Sequence, residues 1–166
     1  MIGNDVIDIM QSRKESNWQR RGFIEKIFTP DEAFLISNAT NPESMVWILW
    51  SMKEAAYKVY HRKTKIREYI PKKLICFIES QSHHCITGRV ICSGNMYHTK
   101  TIVSGDEIHT VAVSILDDLK KVIEIEKKGI VKDKNGIPYL DAALQNKKEV
   151  SISHHGRFEK VVTIST

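Results

Sequence analysis

Long apolar runs are missing from this chain. No stretch of its 166 residues approaches the roughly eighteen apolar residues that a membrane-crossing helix needs, so no membrane partner is expected. Met1-Ile2-Gly3-Asn4-Asp5 lacks the basic segment and apolar core of a secretory signal, which makes the cytoplasm the expected location. Cysteine is scarce: Cys76, Cys85 and Cys92, an odd number with no CxxC spacing. That pattern argues against a disulfide framework and leaves free, mostly buried thiols. His83-His84 and Cys85 have no second, correctly spaced pair to complete a zinc site. A nucleophile elbow, a tandem repeat and a low-complexity segment are also absent.

What remains is ordinary for a soluble globular protein: 42% hydrophobic and 27% charged residues, in a length that suits one domain over 1–166. The net charge of +5 mildly favours an anionic partner, whether nucleic acid, a phosphorylated cofactor or an acidic protein. The basic residues fall in small scattered clusters that read as solvated surface. No zinc finger or aromatic–basic RNA motif supports a nucleic-acid binder.

Residues 4–9 read as a short strand, with Gly3 permitting a tight turn into it. Asp5 and Asp8 either face water at its ends or hold a cation, because a buried carboxylate is costly otherwise. Residues 14–28 look helical. Thr29-Pro30-Asp31-Glu32 is a capping box for a short helix to about residue 36, and capping accounts for Glu32. Asn41 caps a long helix with Pro42 in its first position, running to about Tyr60. Met45, Ile48, Leu49, Met52, Ala56 and Val59 form its core-facing stripe. Strands over 74–79, 89–92, 97–103 and 108–115, separated by glycine-bearing turns, imply an antiparallel meander. The expected fold class is α+β, with helices packed on an antiparallel sheet.

On spacing alone, Glu54 and Lys58 are an i,i+4 ion pair contributing about 0.2–0.5 kcal/mol. The longer string carries more. Trp50-Ser51-Met52-Lys53-Glu54-Ala55-Ala56-Tyr57-Lys58 closely resembles the W-(S/T)-x-K-E-(A/S)-x-x-K signature of the 4′-phosphopantetheinyl transferase superfamily. Gly3-Asn4-Asp5-Val6-Ile7-Asp8-Ile9 resembles the G-x-D-(I/V)-x-E-I opening of its holo-acyl-carrier-protein synthase type. Phe28-Thr29-Pro30-Asp31-Glu32 resembles the F-(T/S)-x-x-E element before the signature helix. Near the end, 133–140 resembles x-x-x-G-K-P-x-(L/I), and 150–158 resembles (I/V)-S-(I/L)-S-H-(S/T). These elements stand in the synthase order, with a longer middle and features of the monomeric, surfactin-synthetase-activating type.

The resemblance implies a magnesium-dependent transfer of the phosphopantetheine arm of coenzyme A. The acceptor is a serine of an apo acyl or peptidyl carrier protein of, for example, fatty acid or polyketide biosynthesis, and 3′,5′-ADP is released. It implies magnesium on Asp5 and Glu54, with Asp8 a weaker candidate, and Ile7 where the monomeric type has a second acid. Lys58 would stabilise phosphate charge, and Glu54 or a water near it would take the serine proton. Lys53, Gly136, Pro138, Ser153 and His154 would meet coenzyme A, with His155 incidental. On the residues alone, Lys53 reads equally as a solvated helix lysine, Ser153 as a strand end and His154 as surface. Ile137 stands where the family has a lysine, and Lys132 and Lys134 are the candidates to replace it. Residues 1–116 would form the metal-ligand half and 117–166 the cofactor half. A homo-oligomer is expected, with the two sets facing each other across a subunit boundary as in the synthase type. A non-catalytic carrier-binding module of the same fold is the alternative: Ile137 favours it, and the joint presence of Asp5, Glu54 and Lys58 opposes it.

Overall fold

One long helix lies across a five-stranded antiparallel sheet, and a second five-stranded sheet packs against the edge strand of the first. The computed structural model describes residues 1–142 and 146–165. Strand β1 (Ile2–Asp8) opens the chain and leads into helices α1 (Ile9–Glu15), α2 (Phe23–Ile27), α3 (Pro30–Asn38) and α4 (Pro42–Thr64). Strands β2 (Leu74–Gln81), β3 (Cys85–Cys92), β4 (Asn95–Ser104) and β5 (Glu107–Val113) form the meander expected from the turn spacing. The first sheet has the order β1-β5-β4-β3-β2. The rest of the chain supplies β6 (Val122–Glu124), β7 (Ile130–Lys132), β8 (Pro138–Ala142), β9 (Asn146–His155) and β10 (Phe158–Ile164), in the order β6-β10-β9-β8-β7. All the pairings are antiparallel, so the architecture is α+β.

The helix ends follow from their caps. The Asn41 side chain accepts from the Ser44 N–H at 3.0 Å, and Pro42 starts α4 without wasting a donor. Lys65 ends it in the left-handed region at φ 63°, a turn beyond the expected stop. At α3, the Thr29 hydroxyl and the Glu32 carboxylate cap each other's backbone N–H groups at 3.3 and 2.9 Å. The helix expected over 14–28 is instead two short ones. α1 begins earlier, at Ile9, because Asp8 accepts from the Met10 and Gln11 N–H groups, and a non-helical stretch ending at Gly22 separates it from α2.

The core lies between α4 and the inner face of the first sheet. Leu49, Met52, Ala56 and Val59 meet Leu74, Cys76, Val90, Tyr97, Ile108 and Ala112. Each fully enclosed aliphatic side chain there contributes about 1.5–3 kcal/mol. Cys76 and Cys92 are buried, and all three cysteines are free thiols.

Candidate functional site

The site begins with a glycine. A Cβ at Gly3 would lie 2.1 Å from the Ala55 carbonyl oxygen, so only hydrogen lets β1 cross α4 this closely. Gly3 is therefore inside the strand for close approach, not ahead of it for a turn. Strand alternation then turns Asp5 to the same side, toward Ser51, Glu54 and Lys58 of α4. The Ser51 hydroxyl donates to the Asp5 carbonyl at 3.4 Å. Asp5 Oδ1 accepts from the Ser153 hydroxyl at 3.2 Å. Asp5 Oδ2 is buried and has no partner among the described residues.

Burial pushes the Asp5 carboxyl upward, and the Lys58 ammonium opposes that shift. Glu54 is pushed up to about 7, mainly by burial and then by the negative charge of Asp5. Asp5 and Glu54 thus share one partly closed space of about 240 Å³ with Ile7, Trp47, Trp50 and His154 on its walls, and Glu15, paired with His155, at its side. An orphaned buried acceptor beside a second carboxyl fits a divalent cation. Among the described residues no cluster of three or more His, Cys, Asp or Glu is built to hold a metal. Two carboxylates are nonetheless enough for magnesium, which keeps several waters and often takes its other ligands from substrate phosphates.

Lys58 sits one turn beyond Glu54. Its ammonium donates to the Asn4 carbonyl at 2.6 Å and the Ile152 carbonyl at 3.1 Å, leaving one N–H. It also lines a second cavity, of about 380 Å³, with His61, Arg62, Lys127, Lys132, Gly136, Ile137, Pro138, Ile152 and His154. No carboxylate lines this space among the described residues. Arg62, one turn after Lys58, donates to the Pro138 and Val150 carbonyls at 3.2 and 2.5 Å, while its Nε is buried without a partner among the described residues. Lys132 lines the wall that Ile137 leaves without a charge, and β7–β8 pairing sets it opposite Pro138. His154 borders both cavities. Gly136, Pro138, His154 and Lys58 therefore meet at one basic hollow, beside the space that holds Asp5 and Glu54.

Ser153 does not face that hollow. Its hydroxyl accepts from the Val6 N–H at 2.8 Å and donates to Asp5, so it holds the carboxylate rather than a cofactor. It is one tooth of a zipper. The Asn4 N–H donates to Ser151 Oγ at 2.9 Å and the Asp8 N–H to His155 Nδ1 at 2.9 Å. Alternate side chains of β9 thus occupy the free edge of β1 where a backbone ladder would otherwise run. His155, expected to be incidental, is fixed with Nδ1 as acceptor, which leaves Nε2 to donate to Glu15 at 3.0 Å.

Asp8 is excluded as a metal ligand. Arg157 takes both of its carboxylate oxygens at 2.8 Å, and this pairing holds its carboxyl far below the usual range. Lys53 is likewise neither a cofactor contact nor a solvated lysine. Its side chain is fully buried, and its ammonium donates to both Glu32 oxygens and to the Pro71 and Leu74 carbonyls. Arg62 and Lys127, whose basic clusters read as solvated surface in the sequence, line the basic hollow. The i,i+4 step from Lys58 is the sequence signal for Arg62.

Both sets of site residues face each other within one chain, because β1 lies against β9 and β10. The expectation is a site divided between subunits; in this chain β1, β9 and α4 bring both sets together. No described helix is long and apolar enough to cross a membrane.

A comparison with curated protein sequences finds no match. The solved structure of a holo-[acyl-carrier-protein] synthase from Neisseria meningitidis superposes with a TM-score of 0.50. The match covers 69% of this chain and 96% of that one at 12% identity, a likeness of fold. The family profile described as 4′-phosphopantetheinyl transferase superfamily matches residues 1–114, from the strand bearing Asp5 through the end of β5. With more than half of its length matched, the chain belongs to the 4′-phosphopantetheinyl transferase superfamily.

Proposed function

We propose that this member, as a single domain, transfers the 4′-phosphopantetheine arm of coenzyme A to a serine of an apo acyl or peptidyl carrier protein, with Mg²⁺ on Asp5 and Glu54. The observation that carries the reading is the adjacency of two unlike cavities joined at His154: one with paired carboxyls and an orphaned Oδ2, the other walled by cations. The serine oxygen forms a bond to the phosphorus bearing the pantetheine arm. The bond from that phosphorus to the bridging pyrophosphate oxygen breaks, and 3′,5′-ADP leaves with the electron pair.

Magnesium, when bound, supplies charge neutralisation on the reacting phosphates. Asp5, held by Ser153, and Glu54 orient it. Arg62, Lys127, Lys132 and His154 receive the phosphates of coenzyme A, and Lys132 replaces the lysine absent at Ile137. Lys58, fixed by two carbonyls, stabilises charge that builds on the phosphates during transfer. Glu54, or a water near it, takes the serine proton.

The test is to incubate the protein with coenzyme A, magnesium and several apo carrier proteins, then weigh the carriers intact. A mass gain equal to phosphopantetheine, lost with chelator and with Glu54→Gln, is expected. Carriers that stay unmodified across acyl and peptidyl types would leave the non-catalytic carrier-binding module as the better reading.

A further inference from the structure

The segment after α4 doubles back along it. Lys65 turns the chain through the left-handed region, and Tyr69 returns beside α4 at the level of Glu54. The Tyr69 ring meets Trp50 edge-on at 6.1 Å and 73°, and Tyr57 at 5.0 Å and 63°. Trp50, Glu54 and Tyr57 lie along one face of α4, so the two aromatic residues flank the carboxylate and Tyr69 spans them. Tyr57 is in turn stacked on His61 at 6.0 Å. The Tyr69 ring is thus held by packing on both sides.

Its hydroxyl is buried beside the Glu54 carboxyl and completes no hydrogen bond of good geometry among the described residues. A buried phenol has one donor to place, and Glu54 is the acceptor beside it. Asp5, the other carboxylate of the pair, already has such a support: the Ser153 hydroxyl on Oδ1. Glu54 has none from Ser153 or its neighbours on β9.

We propose that Tyr69 is the positioning residue for Glu54: its hydroxyl donates to one carboxylate oxygen and turns the other toward the cation shared with Asp5. The inference rests on the magnesium reading of Asp5 and Glu54. Outer hydrogen bonds of this kind orient metal-binding carboxylates, and their loss typically weakens metal affinity by roughly 10–100-fold. The signature string gives no hint of it, because Tyr69 lies fifteen residues beyond Glu54 in the chain.

The experiment is calorimetric titration of the protein, free of coenzyme A, with Mn²⁺ as probe. Wild type, Glu54→Gln, Tyr69→Phe and Tyr57→Phe are compared well below their melting temperatures, so that loss of stability does not enter. Tyr69→Phe keeps the ring and removes only the donor. Its Mn²⁺ affinity is expected to fall by roughly 10-fold or more, while Tyr57→Phe binds as wild type does. Turnover by Tyr69→Phe should need more Mg²⁺ yet approach the wild-type plateau, a split that a packing defect would not produce. Wild-type Mn²⁺ affinity in Tyr69→Phe, or an equal loss in Tyr57→Phe, overturns the positioning role. The metal reading then stands if Glu54→Gln still abolishes binding. A wild-type protein that binds no Mn²⁺ overturns both.

Discussion

Lys53 donates to both carboxylate oxygens of Glu32, at 2.9 and 2.7 Å, and water reaches neither side chain. Phe28 lies under the ammonium at 5.5 Å, so the segment before α3 and the signature helix are locked by a pair enclosed in the core. Glu32 also accepts from the Cys76 N–H at 2.8 Å, which ties in β2. Removing one charge alone strands the other.

Glu32→Gln should therefore destabilise the protein by about 3–5 kcal/mol. Adding Lys53→Met to it should restore part of that loss, because Gln still serves the cap and Cys76 while no charge is left buried. Urea unfolding of the two single variants and the double measures the coupling. Coenzyme A affinity of the folded fraction should stay at the wild-type value for Glu32→Gln.

The raised Glu54 carboxyl gives stability a pH slope. Between its ordinary value of 4.5 and about 7, the unfolded chain has released a proton that the folded chain keeps. Metal-free stability from this group is thus complete below about pH 4.5 and is lost as pH rises through 7. At about 1.4 kcal/mol per unit the loss is on the order of 3 kcal/mol. Glu54→Gln should flatten the slope and melt higher than wild type at pH 8. Magnesium should raise the melting temperature of wild type there and not that of Glu54→Gln.

Ser153 and His154 are adjacent but differ in role. Ser153→Ala leaves the buried Val6 N–H without its acceptor, costing about 1–3 kcal/mol. His154 is exposed at the rim of both cavities, so His154→Ala should melt within about 0.5 kcal/mol of wild type while weakening coenzyme A binding. Thermal melts and calorimetry on both variants separate the two effects. Equal melting losses would mean that His154 is part of the zipper.

With both sets of site residues brought together in one chain, Glu54→Gln and His154→Ala proteins should be no more active mixed than apart. Each centre then carries one damaged half, whichever chains are neighbours. Activity that returns on mixing, with mixed oligomers seen by mass, would place the site across an interface.

Local chemistry made much of this legible. The caps at Thr29 and Asn41, the stripe from Met45 to Val59 and the turn spacing after Pro71 all depend on residues a few positions apart. So does the placing of Glu54 and Lys58 one turn apart beside the core. What failed to show was contact over distance. Lys53 and Glu32 are 21 residues apart, and Asp8 and Arg157 are 149 apart. No periodicity marks a lysine for burial when its partner is on another helix. The split of 14–28 is hidden for a related reason: the sequence does not mark Asp8 as the cap that starts α1 at Ile9.

The side-chain zipper between β1 and β9 sets an order of events at synthesis. The first strand leaves the ribosome early with an open edge, and the groups that close it are roughly 147 residues behind. Until they emerge, the Asn4, Val6 and Asp8 N–H groups have only water, and Asp5 lacks its Ser153 support. A nascent chain stalled anywhere before Ser151 would thus carry an uncovered strand, ready to pair with a neighbour. Such contacts across most of the chain length also slow folding. The last twenty residues therefore act as an internal seal, and a chain cut short ahead of them would aggregate before it could bind a cofactor.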